Sequence, residues 1–197
     1  MARPAEFVRQ DVLEKAMEVF WRTGFTGTSV TDLVKATNLK PGSLYGAFQS
    51  KRGLFMEVID TYAQNSLTRV STCLLNNDSP IAAIQEFFKR FSQDIAMDDI
   101  GRGCLMVNTM LELATEDDEI REKITNYLDQ IESMFAQTLT RAQEKGELAA
   151  QASPEELAKF LMANIWGMRV MSSTRPDTTT YTAIINNTLN ALPIVKH

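Results

Sequence analysis

The residues best placed to do chemistry lie between positions 28 and 51: Thr28, Ser29, Lys40, Ser43, Tyr45 and Lys51. They offer hydroxyls and ammonium groups with no imidazole or thiol among them, which suits reversible contacts to phosphates and base edges rather than bond breaking. Thr28 and Lys51 each stand beside an expected helix N-terminus, where free amides and the helix dipole favour an anion, and with Tyr45 they are assigned mainly to phosphates. Lys40 and Ser43 are assigned to base edges. Pro41, Gly42 and Gly46 join this set, because small residues let a helix approach a duplex closely.

Two short helices must hold these groups. Ser29-x-x-Asp32 is an acidic version of the capping box and starts the first, whose buried side is Val30, Leu33 and Val34. Asn38 suits the left-handed position that ends it. Pro41 is acceptable at the first position of the second helix, and Leu44 and Phe48, four apart, form its inward face. Two such helices joined by about three residues make a helix-turn-helix, which carries its second helix into the major groove of DNA. The alternative is a helical hairpin that serves only packing, but a core needs neither small outer residues nor a lysine at a helix start.

At this point the stretch resembles the TetR family of transcriptional regulators. The matching residues are Gly24-Phe25, Thr28-Ser29-Val30, Asp32-Leu33, Gly42-Ser43-Leu44-Tyr45, Phe48 and Ser50-Lys51, within a match over roughly residues 6 to 66. The chain departs from the family pattern at Lys40-Pro41-Gly42, where Ser-Lys-Gly is usual, and at Gly46 and Ala47, where an aromatic residue or histidine is common. The resemblance implies an all-α fold of about nine helices, with a three-helix helix-turn-helix domain and a larger helical domain for effector binding and dimerisation.

Composition fits that reading. The net charge of −5 divides unevenly: residues 1–53 hold eight Lys and Arg against five Asp and Glu, and residues 54–197 hold twelve against twenty. Nucleic acid is therefore expected at the N-terminal end only, and a DNA-packing protein without a sensor domain is disfavoured. No long uncharged apolar run is present, since Lys159, Asn164 and Arg169 interrupt the most hydrophobic segment, 157–171, so a membrane span is rejected. With no apolar leader and only Cys73 and Cys104, a cytoplasmic location is expected.

The domains are placed at 1–53 and 54–197. In the first, a helix over 6–23 ends at Gly24; Arg3 and Arg9 touch phosphates or are solvated. The next helix starts after the Ser50 cap and runs to about Leu75, joining the domains, so that moving its far end moves the reading helix. Asn76 to Ser79 form a loop and Asp98 to Gly103 a break, separated by a helix with a broad apolar stripe. A short helix spans Cys104 to Ala114, a long one ends at Gly146, and Ser153-Pro154-Glu155-Glu156 reads as a full capping box opening a helix over 154–172. Beyond Phe160 that helix is apolar on nearly every side, so its second face is expected to meet another copy of the chain, forming a four-helix bundle with the last helix, 178–191. Burial inside a monomer is the alternative.

The second domain is larger than dimerisation requires, which points to a largely apolar small-molecule effector. Its candidate walls are Phe87, Phe91, Cys104, Met106 and Asn108, with Met110, Met134, Trp166, Arg169 and Met171. Each also reads as ordinary core, except that Asn108 and Arg169 need polar partners, either a ligand or a backbone carbonyl. Cys104 follows Arg102-Gly103 near a helix start and carries a separate alternative, a thiol that senses oxidants or electrophiles; a lone cysteine in an apolar run is otherwise an inert small hydrophobe.

An enzyme is the competitor of another class. The single histidine is His197, so a Ser-His or Cys-His pair and a His-based metal site lack their central member. No phosphate-binding glycine loop is visible, and Glu116 to Glu119 read as a solvated helix start. No catalytic residue, metal or cofactor is expected. The expected function is a dimeric repressor on a palindromic operator, released by its effector.

Overall fold

The computed structural model describes residues 7–75, 77–98 and 100–195. Arg3, Asn76, Asp99 and His197 lie outside the described residues. Among the described residues nine α-helices follow in order: α1 (Arg9–Gly27), α2 (Val30–Thr37), α3 (Pro41–Phe48), α4 (Lys51–Leu75), α5 (Pro80–Ala96), α6 (Leu105–Leu113), α7 (Asp118–Glu144), α8 (Pro154–Met171) and α9 (Thr178–Asn190). Among the described residues the only β pairing is a single bridge, Leu148 to Ile194.

Side-chain caps start the helices where the sequence places them. Ser29 accepts the Asp32 amide while Asp32 accepts the Ser29 amide, so the capping box of α2 is complete, and Asn38 ends that helix at φ 58°. Ser79, Asp117 and Asp177 cap α5, α7 and α9 through one bond each, accepting the amides of Ala82, Ile120 and Thr180. At α8 only half of the expected box forms: Ser153 Oγ accepts the Glu156 amide at 3.2 Å, and the Ser153 hydroxyl turns to the neighbouring Glu155. Gly24 does break α1, at φ 70° and ψ 176°, but one further helical turn follows before Thr28.

The core is continuous from end to end. In α1, Val12, Ala16 and Phe20 pack beneath Leu33 of α2 and Leu44 and Phe48 of α3, all buried. Phe20 and Phe25 both meet Phe55 of α4 with ring centroids 4.8 Å apart. Farther along, Trp21 meets Tyr62 edge-on at 5.2 Å, and Tyr127 of α7 donates to Ser66. Thus α4 supports the reading helices with its first turns and belongs to the regulatory bundle by its last. It runs across the boundary expected at 53/54.

Polar ties reinforce this junction. Arg52 binds the Asp117 carboxylate with two nitrogens and pairs with Glu119 at 2.8 Å; Arg102 pairs with Glu18 at 2.8 Å and lies over the Trp21 ring. Glu116 to Glu119 are therefore not merely solvated. Asp117 caps α7 and clamps α4 to it.

Candidate nucleic-acid interface and regulatory cavity

Leu44 and Phe48 are 2% exposed, which fixes the rotation of α3 and turns Lys40, Pro41, Gly42, Ser43, Tyr45 and Gly46 outward. Lys40 stands at the N-cap without a side-chain cap bond, and Tyr45 is 43% exposed. A Cβ added at Gly42 or Gly46 would meet nothing within 4 Å, so this face is bare backbone. The turn into α4 is tight. Gln49 adopts φ 66°, Ser50 Oγ accepts the Gly53 amide, and a Cβ at Gly53 would stand 2.1 Å from the Phe48 carbonyl. Only glycine lets α4 start this close to the end of α3.

Two expected phosphate ligands are occupied differently. Thr28 is 2% exposed, and its hydroxyl is bonded to Thr23 and to the Gly24 carbonyl. The Lys51 ammonium donates to the carbonyls of Phe25 and Thr28, both at 2.9 Å, and lies 4.3 Å from the Phe25 ring centroid. Both side chains secure the end of α1 against α2 and α4. Ser29 is exposed but engaged with Asp32, whose carboxyl is held below its usual range by hydrogen bonds from Ser29. Arg9 is not free either. It donates to Glu57 and to the Ala47 carbonyl over the Phe48 ring, tying α1, α3 and α4 together.

A cavity of about 380 Å³ opens between α4, α5, α7 and α8, floored by the start of α6. Of the expected walls it includes Phe87, Phe91, Cys104, Trp166 and Arg169. The other five lie elsewhere. Met106 is fully buried and Met110 is half-buried against the core, and neither lines the cavity. Asn108 donates to the Arg102 carbonyl at 2.7 Å, so its partner is backbone. Met134 lines a separate hollow with Ser71, Leu74 and Gln137, and Met171 is half-buried off the cavity wall. Periodicity marked these residues as inward-facing; it could not say which of two inward directions each helix face takes.

Sequence reasoning missed Tyr62, Ser66, Arg69, Cys73 and Tyr127, which also line the cavity. The signal was available in part, since Tyr62, Ser66 and Arg69 share one face of α4 at helical spacing. Tyr62 donates to Cys104 Sγ at 3.5 Å, and burial pushes both the Tyr62 and Tyr127 hydroxyls up from their usual pKa. Cys104 is 8% exposed, and its sulfur is covered by that phenol, which is not the open electropositive setting of a reactive thiol. Cys73 is buried as well, and burial pushes its thiol up. Among the described residues no group of three or more His, Cys, Asp or Glu could hold a metal, and no helix is long and apolar enough to cross a membrane.

A bare, lysine-started second helix on a capped first helix, joined through one long helix to a bundle with an internal cavity, defines a helix-turn-helix transcriptional regulator. Residues 12–58 match the bacterial regulatory proteins of the tetR family, and residues 80–187 match the tetracyclin repressor-like C-terminal domain. The chain belongs to the TetR family. It is similar to the HTH-type transcriptional repressor ComR of Escherichia coli, 31% identical over 85% of this chain and 80% of that protein. The HTH-type transcriptional repressor DhaR of a Mycobacterium species is 28% identical over 81% of this chain and 79% of its own length. A cysteine-substituted form of the TetR family regulator CifR, solved with a 26-base-pair operator duplex, superposes at TM-score 0.88 with 30% identity, covering 98% of this chain and all of that one.

Proposed function

We propose that this regulator is a repressor that binds a palindromic operator as a dimer and is released by a small molecule in the cavity. The observation that carries the reading is the outer face of α3, where Lys40, Ser43 and Tyr45 stand exposed on bare glycine backbone. In this arrangement Lys40 and Ser43 read base edges and Tyr45 fixes register on a phosphate. Support for the DNA partner comes from CifR, which shares this fold and is bound to its operator.

Dimerisation rests on α8. Phe160 and Val170 are 39% and 45% exposed, and with Ala163 and Gly167 they line one open face of that helix. A second copy covering the face, with α9 alongside, sets two α3 helices about 34 Å apart, one turn of DNA. Release then follows if ligand binding favours a conformer with a different spacing; the ligand shifts the balance only by its differential affinity for the two. The short helix α6 is placed to carry the shift. It starts at the cavity with Cys104 and, one residue from its end, Glu112 grips α1.

The test is a titration of the purified chain on duplex DNA from upstream of its own gene, with light scattering on the same sample. One operator-length duplex bound per dimer, resisting excess competitor DNA, is the expected result. A monomer with no preference for any duplex overturns the reading.

A further inference from the structure

The walls of the cavity carry an imbalance of charge. Arg69, Arg90 and Arg169 line it against the single carboxylate of Asp94. Arg90 is committed to Glu86 at 2.9 Å, while Arg69 and Asp94 are exposed at the rim, where solvent screens them. Arg169 differs from all three. It is half-buried on α8 with its guanidinium 4.5 Å from the Phe91 ring centroid, and among the described residues no carboxylate reaches it.

One turn earlier on the same helix, Trp166 lines the same cavity, and its indole Nε1 is buried with no acceptor. Residues three apart on a helix are neighbours, so this indole and the Arg169 cation share one face of α8, and both line the cavity. The surrounding phenols and thiol supply no anion, since Tyr62, Tyr127 and Cys73 ordinarily ionise above neutral pH and burial pushes them further up. The Phe91 ring beneath that guanidinium continues into an aromatic wall with Phe87, at a ring separation of 6.1 Å and an angle of 21°.

We propose that the cavity takes a compact monocarboxylate with a flat apolar body, its carboxylate held by the Arg169 guanidinium and the Trp166 indole N–H and its body laid against Phe87 and Phe91. A planar carboxylate matches the fork of a guanidinium, and one half-buried cation answers one negative charge rather than two. The volume of about 380 Å³ stands near the lower end of small-molecule sites, which suits a ring or a short conjugated chain. This assignment rests on the cavity being the effector site.

The test uses matched pairs that differ only in charge, benzoate with benzamide and cinnamate with cinnamamide, titrated calorimetrically into the full chain and then into its operator complex. Each acid is expected to bind at least about tenfold more tightly than its amide, the scale of a hydrogen bond to a charged group. Arg169→Met, which keeps an apolar stem on Phe91, should remove the difference and leave the amide's affinity unchanged. Trp166→Phe serves as the second variant and should weaken the acid more than the amide. Amides that bind as tightly as their acids overturn the proposal, as does an Arg169→Met variant that keeps the preference, or a chain that binds neither member of either pair at millimolar concentration. If the amides bind and release operator, the effector site survives and its charge assignment does not. If the acids bind preferentially while operator affinity stays unchanged, the pocket chemistry stands and the cavity is not the regulatory site.

Discussion

The Glu112 carboxylate closes over Gly24: a Cβ at position 24 would stand 2.6 Å from Glu112 Oε2, and the two carboxylate oxygens accept the amides of Phe25 and Thr26 at 3.0 and 2.7 Å. Those amides begin the last turn of α1 after the break at Gly24 and have no helical acceptor of their own. The regulatory bundle thus supplies the cap for a segment of the DNA-binding unit. Both substitutions here are expected to destabilise. Gly24→Ala forces a side chain into a backbone region that only glycine tolerates, at about 1 to 3 kcal/mol, and Glu112→Ala uncaps two amides at about 1 to 3 kcal/mol. Urea unfolding of the double variant should give less than the sum, because without the carboxylate the new methyl has nothing to strike. Strict additivity would show that the two residues are not in contact.

Lys51 separates a structural cation from a DNA-binding one. Its ammonium is held by the Phe25 and Thr28 carbonyls, so Lys51→Ala is expected to lower the unfolding midpoint and to weaken binding to all duplexes alike. The slope of log affinity against log salt should change by well under the value of about 0.9 that one lost phosphate contact produces. A drop of a full contact would mean that Lys51 leaves its carbonyls to reach the backbone of DNA. Lys40→Ala, at an exposed N-cap with no side-chain cap bond, should alter sequence preference instead, read by binding to a randomised operator library.

Local signals made the reading unit legible. The Ser29 and Asp32 box, the Asn38 stop and Pro41 each act within one turn, so the sequence carries them directly, and every expected helix forms within a few residues of its expected bounds. Contacts between distant segments were not legible. Lys51 sits beside a helix start and reads as an anion ligand, yet the competing acceptors are carbonyls twenty-three and twenty-six residues away. Met106 and Phe87 look alike as apolar residues at helical spacing; only the packing of α6 against its neighbours sends one into the core and the other to the cavity. Arg9 and Arg52 likewise gained their carboxylates from tertiary structure.

Acid should loosen the junction between the domains. The Arg52 guanidinium, with the Ile120 amide, holds the Asp117 carboxyl below its usual range. A carboxyl depressed in the folded state stabilises that state above its unfolded pKa of about 3.9 and ceases to do so as pH falls through the lower folded value. Urea midpoints measured from neutral pH down to strong acid should therefore fall below about pH 4 in the native chain. In Arg52→Gln the starting stability is lower and this part of the fall is shallower. Parallel curves for the two proteins would remove Asp117 from the acid response.

The open face of α8 gives the most direct test of assembly. Phe160 and Val170 are the large apolar residues on it, and a Cβ at Gly167 between them would meet nothing within 4 Å, so a facing helix can approach closely there. Val170→Glu places a carboxylate in that contact in each copy, and burying such a charge in a desolvated interface without a partner is costly. The variant is expected to run as a monomer by light scattering with its helical circular dichroism intact, since Val170 is 45% exposed within one chain and contributes little to its own core. Losing one of two half-sites should lower operator affinity by well over about tenfold, whereas affinity for a single half-site should barely change. A variant that remains dimeric would move the interface to another face, and a monomer with unchanged operator affinity would separate DNA binding from dimerisation altogether.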